Sequence, residues 1–114
     1  MPTLPEITDD FMLAQLGRSK EYAVVVLRDG PNPNPPDRDA GIWEHGRRNF
    51  ALREAGMMNL VGPIKSGSLQ GMCVLNTSVA EAEELLAADP AVQAGILAVD
   101  VYSWRSFPGD ALAG

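Results

Sequence analysis

Apolar positions along the chain follow two rhythms. Four segments, 21–28, 57–64, 69–76 and 96–105, are rich in β-branched and apolar residues and alternate with a period of two, the pattern of strands. In 21–28, Ala23, Val25 and Leu27 point one way and Tyr22, Val24 and Val26 the other. In 69–76, Met72 and Val74 alternate with Cys73 and Leu75. Both faces of these strands are apolar, so both require a cover.

Two further segments repeat with the helical period. In 39–56, Ile42, His45, Leu52 and Ala55 share one face with Asn49 beside them, and Trp43, Gly46 and Phe50 form a second stripe. Asp39 is placed to cap its start and Gly56 to end it. In 78–88, Ser78 and Glu81 have the spacing of a capping box, and Val79, Ala82, Leu86 and Asp89 share a face. Pro90 stops that helix. Asp89 then lies on the core side of a helix end, where burial and the negative end of the macrodipole both disfavour a carboxylate, so it needs a donor or a cation. A weaker pattern starts at Thr8 or Asp9, runs through Phe11, Met12, Leu13 and Leu16, and ends at Gly17. A lone helix of that length is marginal in water, so Phe11 and Leu16 need a surface, and the Trp43–Phe50 stripe is a candidate.

The connections complete the order. Residues 29–38 hold four prolines in six positions, read either as a stiff connector or as a rim over a site. Pro63 suits a strand end, an edge or a bulge, and Gly62 beside it allows close approach to the backbone. Residues 65–68 form a hairpin turn. The order is β-α-β-β-α-β, the ferredoxin-like split arrangement: a four-stranded antiparallel sheet with two helices on one face. Residues 1–20 are an N-terminal extension, 21–106 the domain and 107–114 a tail. Two helices cover one side of the sheet only. A homodimer packed sheet to sheet, a dimeric α+β barrel, would cover the other.

Composition narrows the function classes. A chain of 114 residues fits one domain. It has no apolar run of about 18 residues, so no membrane span is expected, and its start lacks the basic and apolar regions of a signal peptide. Cys73 is the single cysteine, which excludes an internal disulfide and fits a reducing, cytoplasmic setting. The net charge of −6 argues against a nucleic-acid partner.

The candidate chemistry centres on His45, the only histidine, and Asp89. Both fall on the sheet-facing sides of helices that lie side by side in this fold. A carboxylate against an imidazole nitrogen fixes the tautomer and suits a general base; it equally suits a satisfied structural pair. Asp100, with Tyr102 and Trp104 on its face, either lines a pocket inside the barrel or faces water at an edge. Cys73 reads as a small buried hydrophobe. One histidine and one cysteine give no zinc pattern, and there is no serine elbow, dinucleotide fingerprint or phosphate cradle, so no metal or cofactor is expected.

Over about residues 21–105 the chain resembles the YCII-like (YciI-related) family of small dimeric α+β barrels. The matching residues are His45, Gly56 eleven positions on, Val61-Gly62-Pro63 and Ala88-Asp89-Pro90. The family has a His–Asp pair proposed as catalytic, which falls on His45 and Asp89. Its members include a dehydrochlorinase acting on a chlorinated hydroxyquinol, and relatives in the wider fold class include muconolactone isomerase and monooxygenases. The resemblance implies a small-molecule ligand, a homodimer and a cofactor-independent lyase or isomerase; the alternative is a non-catalytic module that binds a small metabolite. Gly62, Pro63, Asp100, Tyr102 and Trp104 are the expected substrate-binding residues. The N-terminal extension and the proline-rich loop depart from short members of the family, which leaves the substrate open.

Overall fold

The computed structural model describes residues 2–114 of the protein. The elements in chain order are α1 (Asp9–Arg18), β1 (Lys20–Asp29), α2 (Arg38–Glu54), β2 (Met58–Pro63), β3 (Leu69–Leu75), α3 (Val79–Ala87), α4 (Pro90–Gln93) and β4 (Leu97–Ser106). The four strands form one antiparallel sheet in the order β2-β3-β1-β4. Each helical connection therefore joins strands that have one other strand between them, and the fold is ferredoxin-like α+β. Among the described residues no helix is long and apolar enough to cross a membrane.

The alternation in the strands assigns the two faces. Ala23, Val25 and Leu27 of β1 meet Cys73, Leu75, Leu86 and Ile96 in the core, with Val99 and Val101 packed against it. Tyr22, Val24 and Val26 point to the opposite face, opposite Trp104, Tyr102 and Asp100 of β4. Helices α2, α3 and α4 lie over the first face only. Pro63 is the last residue of β2, which is an edge strand, so its missing donor breaks no ladder.

Helix ends explain where the elements stop. Helix α2 closes with the Met57 N–H on the Leu52 carbonyl and the Gly56 N–H on the Arg53 carbonyl, with Gly56 at φ 78°. That is a Schellman motif, and it needs glycine at this position. Its start differs from expectation: Asp37 occupies the N-cap without a side-chain bond, and Asp39 sits in the first turn, where its charge still favours the positive helix end. Ser78 caps α3 by accepting from the Glu81 N–H at 3.1 Å. Thr8 caps α1 by accepting from the Phe11 N–H at 3.1 Å. Helix α1 buries no side chain. It does not cover the second stripe of α2: Phe11, Leu16, Trp43 and Phe50 are each half exposed or more.

Helix α4 was not expected. Pro90 does end α3, but it also begins a new turn, because its fixed φ and missing donor suit the first helical position. Asp89 is therefore an N-cap, not a residue stranded at a negative helix end. The turn closes on Gly95 at φ 76°, with the Ile96 N–H on the Ala91 carbonyl at 2.9 Å. The next glycine contact is across the sheet end. Gly30 donates to the Ile96 carbonyl and Asn32 to the Gly95 carbonyl, each at 2.9 Å, so the pairing of β1 with β4 runs on into the proline-rich loop. A Cβ on Gly30 would strike the Gly95 carbonyl.

Candidate functional site

Helix α2 presents His45 and Asn49 one turn apart on its core side, and Asp89 reaches them from the start of α4. His45 Nδ1 lies 2.8 Å from Asp89 Oδ2, and His45 Nε2 lies 3.1 Å from Asn49 Nδ2. With Asp89 ionised, Nδ1 carries the proton and donates it to the carboxylate, which leaves Nε2 as an acceptor for the Asn49 amide. The other Asp89 oxygen, Oδ1, accepts from the Ala91 N–H at 2.9 Å and the Val92 N–H at 3.4 Å. The carboxylate is fully buried and the imidazole retains 14% exposure.

A buried carboxylate survives in charged form only if its environment repays desolvation. Burial pushes the Asp89 carboxyl up. The hydrogen bond from His45, its positive charge when the imidazole is protonated, and the two amides outweigh burial and hold it below the usual carboxylate range. The donors that Asp89 required are thus partly a side chain and partly the first amides of α4.

The imidazole opens on a cavity of about 540 Å³ between α2 and the β2–β3 end of the sheet. Its apolar wall includes Leu27, Ile42, Phe50, Val61 and Leu97. Gly46, Gly62 and Gly71 line it without side chains, and Pro63 stands at its edge. A Cβ on Gly71 would lie 3.1 Å from the Gly62 carbonyl oxygen, so this floor is open because glycine forms it. Arg38, Arg53, Lys65 and Gln70 complete the polar lining.

Of the expected site residues, His45, Asp89, Gly62 and Pro63 come together here. Asp100, Tyr102 and Trp104 do not. Alternation along β4 puts them on the opposite face of the sheet, where Asp100 accepts from Arg28 Nε at 3.0 Å. That hydrogen bond, with the Asp100 charge, raises the Arg28 guanidinium above its ordinary value. Asp100 and Tyr102 border a separate cleft with Glu83 and Val92, and Trp104 borders a third beside the C-terminal tail. Cys73 is 2% exposed, and burial followed by the nearby Asp89 charge pushes its thiol up to about 12, far from a nucleophile at neutral pH. Among the described residues no group of three or more His, Cys, Asp or Glu side chains is placed to hold a metal ion.

The proline-rich loop leads into Arg38, the first residue of α2. Its prolines do not line the cavity, but Arg38 at its end does. The Arg38 Nε donates to the Pro33 carbonyl at 2.9 Å and its backbone N–H to the Pro35 carbonyl at 3.0 Å. The stiff segment holds a cation at the rim. Asn49, Arg38, Arg53 and Lys65 carry no expectation as site residues. For Asn49 a signal existed: an amide on the same helical face as a core-side histidine, one turn on, needs a buried partner.

No family model and no curated protein matches the chain.

Proposed function

We propose that the protein is a YCII-like, homodimeric α+β barrel that acts on a small molecule as a cofactor-independent lyase or isomerase. The observation that carries this reading is the His45–Asp89 pair at 2.8 Å, opening on a cavity of about 540 Å³. That volume suits a small organic ligand, with apolar walls and few polar groups. In this reading His45 Nε2 removes a proton from an activated carbon of the substrate. Asp89 holds Nδ1–H, keeps Nε2 free of its own proton and stabilises the imidazolium that forms. The Asn49 amide, which donates to Nε2 in the resting site, turns away to release the lone pair. The electron pair left on the substrate expels a leaving group, as in dehydrochlorination, or shifts a double bond, with the proton returned from His45 elsewhere on the skeleton.

A screen of chlorinated hydroxyquinols, muconolactones and related enols tests this. Turnover should be insensitive to chelators and fall by about 10² to 10⁴ in His45→Ala, the range of general-base catalysis. Turnover that survives that substitution, or that chelators abolish and metal restores, overturns it. A second reading is favoured by Asn49: both imidazole nitrogens already have partners, which suits a non-catalytic module binding a small metabolite in the same cavity. In that case His45→Ala weakens binding, and no candidate is turned over.

A further inference from the structure

The His45 cavity has a one-sided charge. The chain carries 15 acidic residues against 9 basic ones, yet the cavity lining includes Arg38, Arg53 and Lys65 and no aspartate or glutamate. Of the carboxylates beside it, Asp89 lies behind the imidazole and is saturated by His45, Ala91 and Val92, and Glu54 pairs with Arg53 at 3.3 Å. Arg38 and Lys65 have no carboxylate partner among the described residues, so these cations beside Arg53 on one concave volume favour an anion that joins them.

Their side chains are also held in different degrees. Arg38 is fixed through Nε to the Pro33 carbonyl, which leaves the far end of its guanidinium without a protein partner among the described residues. Arg53 lies over the Phe50 ring, 4.7 Å from its centroid, and touches Glu54 at 3.3 Å. Lys65, in the β2–β3 turn, makes no ion pair among the described residues. Phe50, Ile42 and Val61 supply apolar wall beside these charges, and Gly46 and Gly71 keep the space flat and open. A planar guanidinium and a mobile ammonium suit a carboxylate, the first by paired bonds and the second as a point charge.

We infer that this cavity takes a small, unsaturated organic carboxylate, its anionic end held by Arg38, Arg53 and Lys65 and its carbon skeleton laid over Phe50 toward His45. The inference rests on the proposed use of the cavity and names its substrate class. The same cations would stabilise negative charge that develops on the substrate when His45 takes a proton.

The test uses matched pairs: benzoate with benzamide, sorbate with sorbamide, and succinate with succinamide. Each is titrated into the isotopically labelled full chain, and the amide resonances of Gly46, Gly62 and Gly71 are followed. At least one unsaturated acid should shift these resonances and bind about tenfold or more tighter than its amide, the loss expected when an ionic hydrogen bond becomes a neutral one. Lys65→Gln and Arg53→Gln should weaken acid binding and leave amide binding unchanged. Arg53 and Lys65 are exposed, so Lys65→Gln and Arg53→Gln should keep the wild-type melting temperature, whereas Arg38 is half-buried and bonded to the Pro33 carbonyl. Equal binding of acid and amide overturns the inference. So does unchanged acid binding in Arg38→Gln/Arg53→Gln/Lys65→Gln, or the absence of cavity shifts with every acid. Acid selectivity without any turnover supports the inference while removing the enzymatic reading; turnover of a neutral carbon acid with no acid preference does the reverse.

Discussion

His45 on α2 and Asp89 at the start of α4 are joined by a 2.8 Å contact between Nδ1 and Oδ2, across 44 residues of sequence. One carboxylate serves two elements. Oδ1 caps α4 and Oδ2 orients the imidazole, so the short helix and the candidate base depend on the same side chain. The consequence is that the two roles can be separated by choice of substitution.

Asp89→Asn keeps an oxygen for the Ala91 and Val92 amides but removes the charge that faces His45. Asp89→Ala removes both. Asparagine is as good an N-cap as aspartate, so Asp89→Ala should be less stable than Asp89→Asn by about 1 kcal/mol, the usual worth of a capping side chain. Urea unfolding of the two variants measures this. The pair itself is read by a double-mutant cycle with His45→Ala, where a coupling of about 1 kcal/mol or more is expected for groups in direct contact. Equal stability of the two Asp89 variants would mean that capping contributes nothing.

Acid stability should follow the same carboxylate. Asp89 is held below its usual range in the folded protein, and an unfolded aspartate titrates near about 3.9. Above that value both states are ionised and the stabilisation is complete. As pH falls below it, the unfolded chain takes up the proton first, and the stabilisation is lost down through the folded value. The wild-type protein should therefore lose stability in acid below about pH 4 more steeply than Asp89→Asn. Denaturation midpoints at a series of pH values compare them, and parallel curves would mean that Asp89 is not the group responsible.

Much of this was legible beforehand, and the failures have physical causes. The two-sided apolar alternation of β1 and β3 and the Gly56 stop of α2 appear in the structure where the periodicity put them. The periodicity predicts no α4, because Asp89-Pro90 marks the end of α3. The same residues are also a start: a capping aspartate, proline at the first helical position and glycine five residues later. Asp100, Tyr102 and Trp104 were grouped correctly on one face. That face is the one the helices leave open, on β4 at the edge of the sheet. The cations of the cavity were illegible, since Arg38, Arg53 and Lys65 come from a helix start, a helix end and a turn.

Cys73 should be inert in the native protein. Burial and the Asp89 charge push its thiol up to about 12, and 2% of it is exposed. Iodoacetamide at pH 8 should leave the native chain unlabelled and modify it fully in denaturant. Rapid native labelling would place the thiol at the surface and contradict the core described here.

Two glycines should respond in opposite directions. A Cβ on Gly46 meets nothing within 4 Å, so Gly46→Ala in mid-helix should stabilise by about 0.5–1 kcal/mol. A bulkier Gly46→Leu should keep the fold and block the cavity. Gly30→Ala, by contrast, drives a methyl into the Gly95 carbonyl and should be destabilising, because both partners are backbone and neither can rotate away. Thermal melts of the three variants are the check.

The helices leave one face of the sheet open. It carries Tyr22, Val24, Val26, Met72, Tyr102 and Trp104, with the Arg28–Asp100 pair among them. Met72, Tyr102 and Trp104 are 41, 55 and 40% exposed, whereas Val74, at the end bordered by the C-terminal tail, is only 4% exposed. A continuous apolar sheet face is rare on a monomer. Two such faces packed about 10 Å apart would bury it, and the charged pair would lie within the joint, satisfied by its own partner. The protein should therefore run as a homodimer by size exclusion with light scattering at micromolar concentration. Val26→Lys, near the middle of the face, should give a folded monomer with unchanged circular dichroism. A wild-type monomer would remove the barrel. A Val26→Lys protein that remains dimeric would move the interface elsewhere, and the exposed side chains of α1 and the Trp43–Phe50 stripe are the next surfaces to substitute.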